Sequence, residues 1–131
     1  MALVKDHPHF MHGTAFYDEK GNNVRVLDIV NGKNFYQCLH GIDLDHRRYF
    51  KEMLPGILTK LLAAFNALRL LHQNGLKPGD IRNDCLIIEE IGNYVWIDFD
   101  YDFDSVEKPF SLDLIGLGNI LTFAIGKGFL I

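Results

Sequence analysis

The sequence predicts an α+β domain. Three features carry that expectation: an apolar stripe of helical period in mid-chain, a pair of short apolar runs around a turn just after it, and a strongly apolar closing segment. In the stripe, Leu54, Leu58, Leu61, Phe65, Leu68 and Leu71 recur every three or four residues, the spacing that lines one side of a helix. Lys51, Glu52, Lys60, Asn66, Arg69 and Gln73 fall mostly between them, so the stripe reads as core. Asn74-Gly75 ends the helix, because glycine accepts the left-handed backbone of a helix stop. Ahead of it, residues 10–16 and 24–30 read as two strands around a turn at 18–23, where Gly21 and its asparagine neighbours supply positive φ. Asn31-Gly32 is expected to break the second strand. Beyond the helix, 76–84 reads as a polar loop containing Pro78-Gly79, and 85–88 with 94–97 predict a second hairpin. Residues 98–104 alternate aspartate with aromatics, which in a strand puts Asp98, Asp100, Asp102 and Asp104 on one face. The closing helix is predicted over 112–125, with Ser111 as its N-cap.

Composition narrows the function classes. The chain has 131 residues, 48% apolar and 23% charged, which describes one folded domain and excludes disorder. Lys and Arg number 13 against 17 Asp and Glu, a net charge of −4. With no dense basic stretch, the electrostatic footprint of nucleic-acid or anionic-membrane binding is missing. Cys38 and Cys85 are too few for a disulfide framework and read as small buried residues of a cytoplasmic protein. The opening MALVKDHPHF has no apolar signal-peptide core. Between Asp113 and Lys127 lie 13 uncharged residues, short of the ~20 needed to cross a bilayer. That helix is expected to be core.

Several features occur in a fixed order. A helix ends in Leu71-His72-Gln73-Asn74-Gly75, a loop carries Gly79-Asp80, a hairpin follows, then Ile97-Asp98-Phe99, and Ser111-Leu-Asp113-Leu-Ile-Gly116-Leu-Gly118 opens the last helix. This order resembles the C-terminal lobe of the eukaryotic-type protein kinases and of the small-molecule kinases that share their fold. His7-Pro8-His9-Phe10 resembles the turn after the αC helix of that family, and residues 26–32 resemble its fifth strand and hinge. The resemblance implies a protein-kinase-like α+β fold: residues 1–32 as the last strands of the N-lobe plus hinge, and 33–131 as a mainly helical C-lobe through its central helix.

Function follows from the resemblance as expectation. Phosphoryl transfer asks a protein for positioning and charge neutralisation. Asp80 would accept the proton of the substrate hydroxyl, a Ser or Thr of a protein, and Arg82 would meet the transferred phosphate. Asp98, with Asp100 as a second ligand, would hold Mg²⁺ on ATP, because a hard cation prefers oxygen. Backbone groups of Asp28 and Val30 would take the adenine, Ile87 would floor it, and Asp113 would tie the last helix to the catalytic loop.

The departures point to weak or absent activity. Pro78-Gly79 stands where the family has His-Arg, and Cys85 stands where it has a metal-binding Asn; a neutral thiol is a poor Mg²⁺ ligand. Asn83 or Asp84 would serve only if the loop ran differently. Asp100 replaces the Gly of the metal motif, and the stretch from Asp98 to Asp113 is short for an activation loop. No Gly-rich loop, strand Lys or αC Glu precedes His7, and Gly116, Gly118 and Gly126-Lys127 do not space as a phosphate loop. The expectation is therefore a truncated kinase-like product, or an assembly such as a homo-oligomer that covers the last helix. The alternative is a degenerate kinase-like module that acts by binding a partner. Two other readings fare worse. Asp98-Phe99-Asp100 resembles the nucleophile motif of haloacid-dehalogenase-type phosphatases, but Asp102 stands where that family has Thr or Val. An EF-hand is excluded by Phe103 and Pro109 at its Gly and Glu positions. His7, His9 and His12 read as turn histidines rather than a metal cluster, and His72 as a helix cap.

Overall fold

A computed structural model of the chain describes residues 7–75, 81–97 and 110–127. The architecture is mixed α+β, with two small antiparallel sheets, the three-stranded one packed against a long central helix. Strands β1 (Gly13–Tyr17) and β2 (Asn23–Leu27) form the first hairpin, with Gly13 opposite Leu27 and Tyr17 opposite Asn23. At its turn the Asp18 carboxylate accepts the amides of Lys20 and Asn22 at 2.9 and 2.8 Å. Both strands are shorter than their apolar runs. Residues 9–11 leave the hairpin because their backbone pairs elsewhere: the Met11 amide donates to the Trp96 carbonyl (3.0 Å) and the Trp96 amide to the His9 carbonyl (2.8 Å).

The second strand ends ahead of Asn31-Gly32, at Leu27. Gly32 opens strand β3 (Gly32–Asn34), which pairs with β4 (Leu86–Glu89), and β4 pairs in turn with β5 (Tyr94–Trp96). A Cβ at Gly32 would overlap the Ile88 carbonyl oxygen. The missing side chain that signals a break here permits a close backbone approach. Asn34 then caps α1 (Phe35–His40), a helix the apolar periodicity did not reveal. Its side chain accepts the Gln37 amide at 2.8 Å while Gln37 reaches back to the Asn34 amide at 3.2 Å, a reciprocal capping box.

Asp45 caps α2 (His46–Arg48), which runs through a π-helical turn (Tyr49–Met53) into α3 (Leu54–Gln73). The turn widens just ahead of Pro55, which has no amide to continue the α-helical ladder; the Leu54 amide donates to the Tyr49 carbonyl. By length and composition the run His46–Gln73 is long and apolar enough to cross a membrane. In this fold Leu54, Ile57, Leu61, Ala64, Leu68 and Leu71 bury its inner face. Gly75 takes φ +74 at the end of α3, as its sequence signal required. Trp96 of β5 is fully buried and its indole N–H donates to the Ala64 carbonyl at 2.9 Å, so the sheet is keyed to α3.

Helix α4 (Phe110–Ile125) starts earlier than expected, and Ser111 lies inside its first turn rather than at the cap. Its C-terminal carbonyls are met from afar. The Tyr49 hydroxyl donates to Ala124 and the His46 Nε2–H to Ile125 at 2.9 Å; just past the helix, the Lys127 ammonium donates in turn to the Leu44 carbonyl ahead of α2. Burial pushes the Tyr49 phenol up to about 12, so it stays a donor throughout the physiological range. Tyr49→Phe keeps the packing and leaves the Ala124 carbonyl buried without this donor; urea unfolding should show a loss of about 1–2 kcal/mol at unchanged m-value.

Candidate functional site

The last turn of α3 and the first turn of α4 meet through a buried polar contact. The His72 Nε2–H donates to Asp113 Oδ2 at 2.7 Å, and Asp113 has no exposed surface. The closing turn of α3 itself is made by backbone amides of Asn74 and Gly75. One turn further along α4, Gly116 lies against Ile81. A Cβ there would come within 2.6 Å of both the Ile81 carbonyl oxygen and its Cβ, so only glycine permits this approach. Helix α4 thus holds the chain on both sides of the interval 76–80, at His72 before it and at Ile81 after it. Asp80 belongs to that interval and lies outside the described residues, as do Asp98, Asp100 and the rest of the 98–104 alternation.

After Ile81 the backbone is extended at Arg82 and then forms one 3₁₀ turn (Asn83–Cys85) into β4. The exposed Arg82 guanidinium lies 3.5 Å from Asp84 Oδ1 and 3.9 Å from the Cys85 sulfur. Arg82, Asn83 and Asp84 line an open cavity of about 370 Å³ together with Asn34 and Tyr36 of the β3–α1 junction. The Asn83 amide oxygen is buried with no hydrogen-bond partner among the described residues. Cys85 is fully buried, and burial above all pushes its thiol up, with Arg82 pulling the other way. A buried neutral thiol at that position does not fit a Mg²⁺ ligand.

The cofactor-binding candidates fall in two places. Ile87 is the middle residue of the three-stranded sheet, half-buried, opposite Asn34 on one side and Val95 on the other. Asn34 links it to the cavity. Asp28 and Val30 lie in the connection between β2 and β3 and do not line that cavity. The Asp28 amide donates to the His12 carbonyl at 2.8 Å, so among the backbone groups of these two residues that amide is already engaged. Cys38 is only partly buried, less than its type suggested, and both cysteines are free thiols.

His7, His9 and His12 spend their rings on backbone. The His9 Nδ1–H donates to the Tyr94 carbonyl (2.7 Å), the His12 Nε2–H to the His7 carbonyl (2.8 Å), and His7 Nδ1 accepts the His9 amide (3.1 Å). Among the described residues no group of three His, Cys, Asp or Glu side chains is placed to hold a metal ion. Sequence reasoning missed the cavity's other wall, Asn34 and Tyr36. Its signal was present as Asn34-x-x-Gln37, a helix-start pattern that periodicity cannot detect in a helix of six residues.

Neither a known protein family nor a curated protein matches this chain.

The close approach of α4 makes a paired test. Gly116→Ala should destabilise the fold by about 1–3 kcal/mol through overlap with Ile81. Gly118→Ala adds a methyl that meets nothing within 4 Å and should be neutral or stabilising by up to ~1 kcal/mol. Thermal unfolding of the two variants side by side reads the difference.

Proposed function

We propose that this chain is a protein-kinase-like domain that transfers the γ-phosphate of ATP to a hydroxyl, slowly, with a Ser or Thr side chain of a protein as acceptor. The observation that carries the reading is the buried Asp113. A carboxylate without exposed surface, hydrogen-bonded to the end of α3 and one turn from a glycine against Ile81, is what a structural acid that holds a catalytic loop requires. The order of helix, polar interval, hairpin and closing helix agrees with the same reading, as does the hairpin and connection ahead of β3, taken as the remnant of an N-lobe. In this reading Asp80 orients the hydroxyl and accepts its proton, Arg82 meets the phosphate, and Ile87 lies under the base with backbone groups of Asp28 and Val30 at its edge. The Mg²⁺ that would neutralise the phosphates falls to Asp98 and Asp100, since Cys85 does not fit as a ligand; one oxygen ligand fewer is the reason for slow turnover. Two free thiols suit the reducing cytoplasm.

A second reading has its own observation. The buried thiol of Cys85 removes a metal ligand from the loop, which suits a degenerate module that binds a partner and transfers nothing. The two readings part on nucleotide. With radiolabelled ATP and Mg²⁺, phosphotransfer to a generic Ser/Thr substrate should be measurable and fall by about 10²-fold or more in both Asp80→Ala and Asp98→Ala. Cys85→Asn should raise it. Absence of turnover together with absence of any Mg²⁺-dependent thermal shift by ATP would leave the binding module.

A further inference from the structure

We propose that residues 7–12 form a pH-sensitive latch, in which neutral His7 holds the β1–β2 hairpin to the body of the domain and protonated His7 releases it. The asymmetry lies in how the three histidines use their nitrogens. A carbonyl only accepts, so His9 Nδ1 and His12 Nε2 must carry hydrogen to meet Tyr94 and His7. Adding a proton to the other nitrogen of either ring leaves those bonds intact. His7 is the reverse case. Its Nδ1 accepts the His9 amide, so the bond needs a lone pair that protonation removes. The neutral ring therefore carries its hydrogen on Nε2, and the charged ring turns a donor toward a donor.

Among the described residues this segment attaches the hairpin, with Phe10 buried in the core as its apolar anchor. His9 and Met11 pair with Trp96 of β5, Asn93 donates its side-chain amide to the Pro8 carbonyl at 2.7 Å, and the Asp28 amide donates to His12. Among the described elements, the strands of the hairpin have their substantial contacts with each other. Phe16, Tyr17, Val26 and Leu27 are all more than two-fifths exposed, so little apolar burial holds the hairpin down.

Among the described residues, the charged and titratable groups that influence His7 act in one direction. On its own segment His9 and His12 disfavour its cation, the His9 ring with its centroid 5.8 Å away. From the β4–β5 turn Glu89 is engaged with Asn93 at 3.3 Å, Tyr94 meets His9 through its carbonyl, and Asp28 after β2 enters through its backbone amide. None of these acidic groups is among the influences on His7. Burial, then His9 and His12, hold its pKa below the ordinary value of 6.5. The folded latch thus binds fewer protons than the open segment. It is fully held above pH 6.5, weakens as pH falls from there through the lowered folded value, and loses no more once both states are protonated. The inference stands whether or not the chain binds nucleotide.

Hydrogen exchange on the full chain tests it, with protection factors corrected for the intrinsic pH dependence of exchange. Between pH 7.5 and 5.5, protection of the hairpin amides should fall about fivefold or more, the worth of one hydrogen bond and the added repulsion, while α3 amides keep theirs. His7→Asn supplies a non-titrating acceptor two residues ahead of the same amide, and its hairpin protection should not change with pH. An equal fall in His7→Asn, no fall in the wild-type chain, or a fall shared by α3 would each overturn the latch. The wild-type chain alone gives a second check: the His7 Nδ1 resonance of the folded chain should titrate below 6.5, at the acid end of the range over which hairpin protection is lost, and titration at or above 6.5 overturns the proposal.

Discussion

A carboxylate with no exposed surface dictates how the two large helices of this domain meet. Burying an unpaired charge or an unsatisfied polar group costs several kcal/mol (roughly 2–7 for a neutral polar group alone), so Asp113 can sit inside only where a donor reaches it. His72, at the last turn of α3, is that donor. The requirement fixes the rotation of α4 about its axis. Asp113, Gly116, Ile120 and Ala124 face inward, while Leu114 and Ile115 stay 61% and 60% exposed. On an almost uniformly apolar helix, hydrophobicity cannot choose a face; the single carboxylate does. The inward stripe is otherwise small, which lets Gly116 touch the Ile81 backbone.

The other end of α4 is held by the opposite end of the long helical run. The last carbonyls of a helix have no partners of their own, and here Tyr49 and His46 supply two of them. The π-turn belongs to this arrangement. It puts Tyr49, fully buried, at the place where the helix widens ahead of Pro55, and π-turns commonly mark positions where a side chain must be aimed against the regular helical repeat. The His46–Gln73 run therefore carries a polar anchor for α4 near each of its ends, with an apolar floor between them.

Stability is spread unevenly as a result. Trp96, Phe35, Leu61, Leu68 and Leu86 are fully buried in one core, whereas the first hairpin hangs from a short stretch of backbone and histidine hydrogen bonds. Such bonds contribute about 1 kcal/mol each, and the stretch adds the buried Phe10 as its apolar anchor, while the hairpin strands themselves stay exposed. The candidate site lies between these regimes. Its loop side is gripped by α4 at Ile81 and its sheet side by the β3–β4 pairing, but Asp28 and Val30 belong to the connection beside the loosely held hairpin.

The sequence by itself determined the α+β class, the stop of α3 at Asn74-Gly75, the β4–β5 hairpin and the existence of the closing helix. Each rests on periodicity or turn chemistry that operates within a few residues. It also made Arg82 and Ile87 candidates, through the order of motifs around them. It did not reveal α1, because a helix of six residues is too short to show a period, nor that Gly32 would open a strand, because the Ile88 carbonyl it must approach is far away in the chain. It did not show that His72, in the last turn of α3, would reach Asp113, 41 residues on. Tertiary structure alone decided which face of α4 is buried, that Cys85 is sealed in the core while Cys38 is not, and that Asn34 and Tyr36 share a cavity with Arg82. The physical reason is common to all of these. Local propensity acts through neighbouring residues, whereas the satisfaction of a buried polar group and the closeness of two backbones depend on partners that only the folded chain brings together.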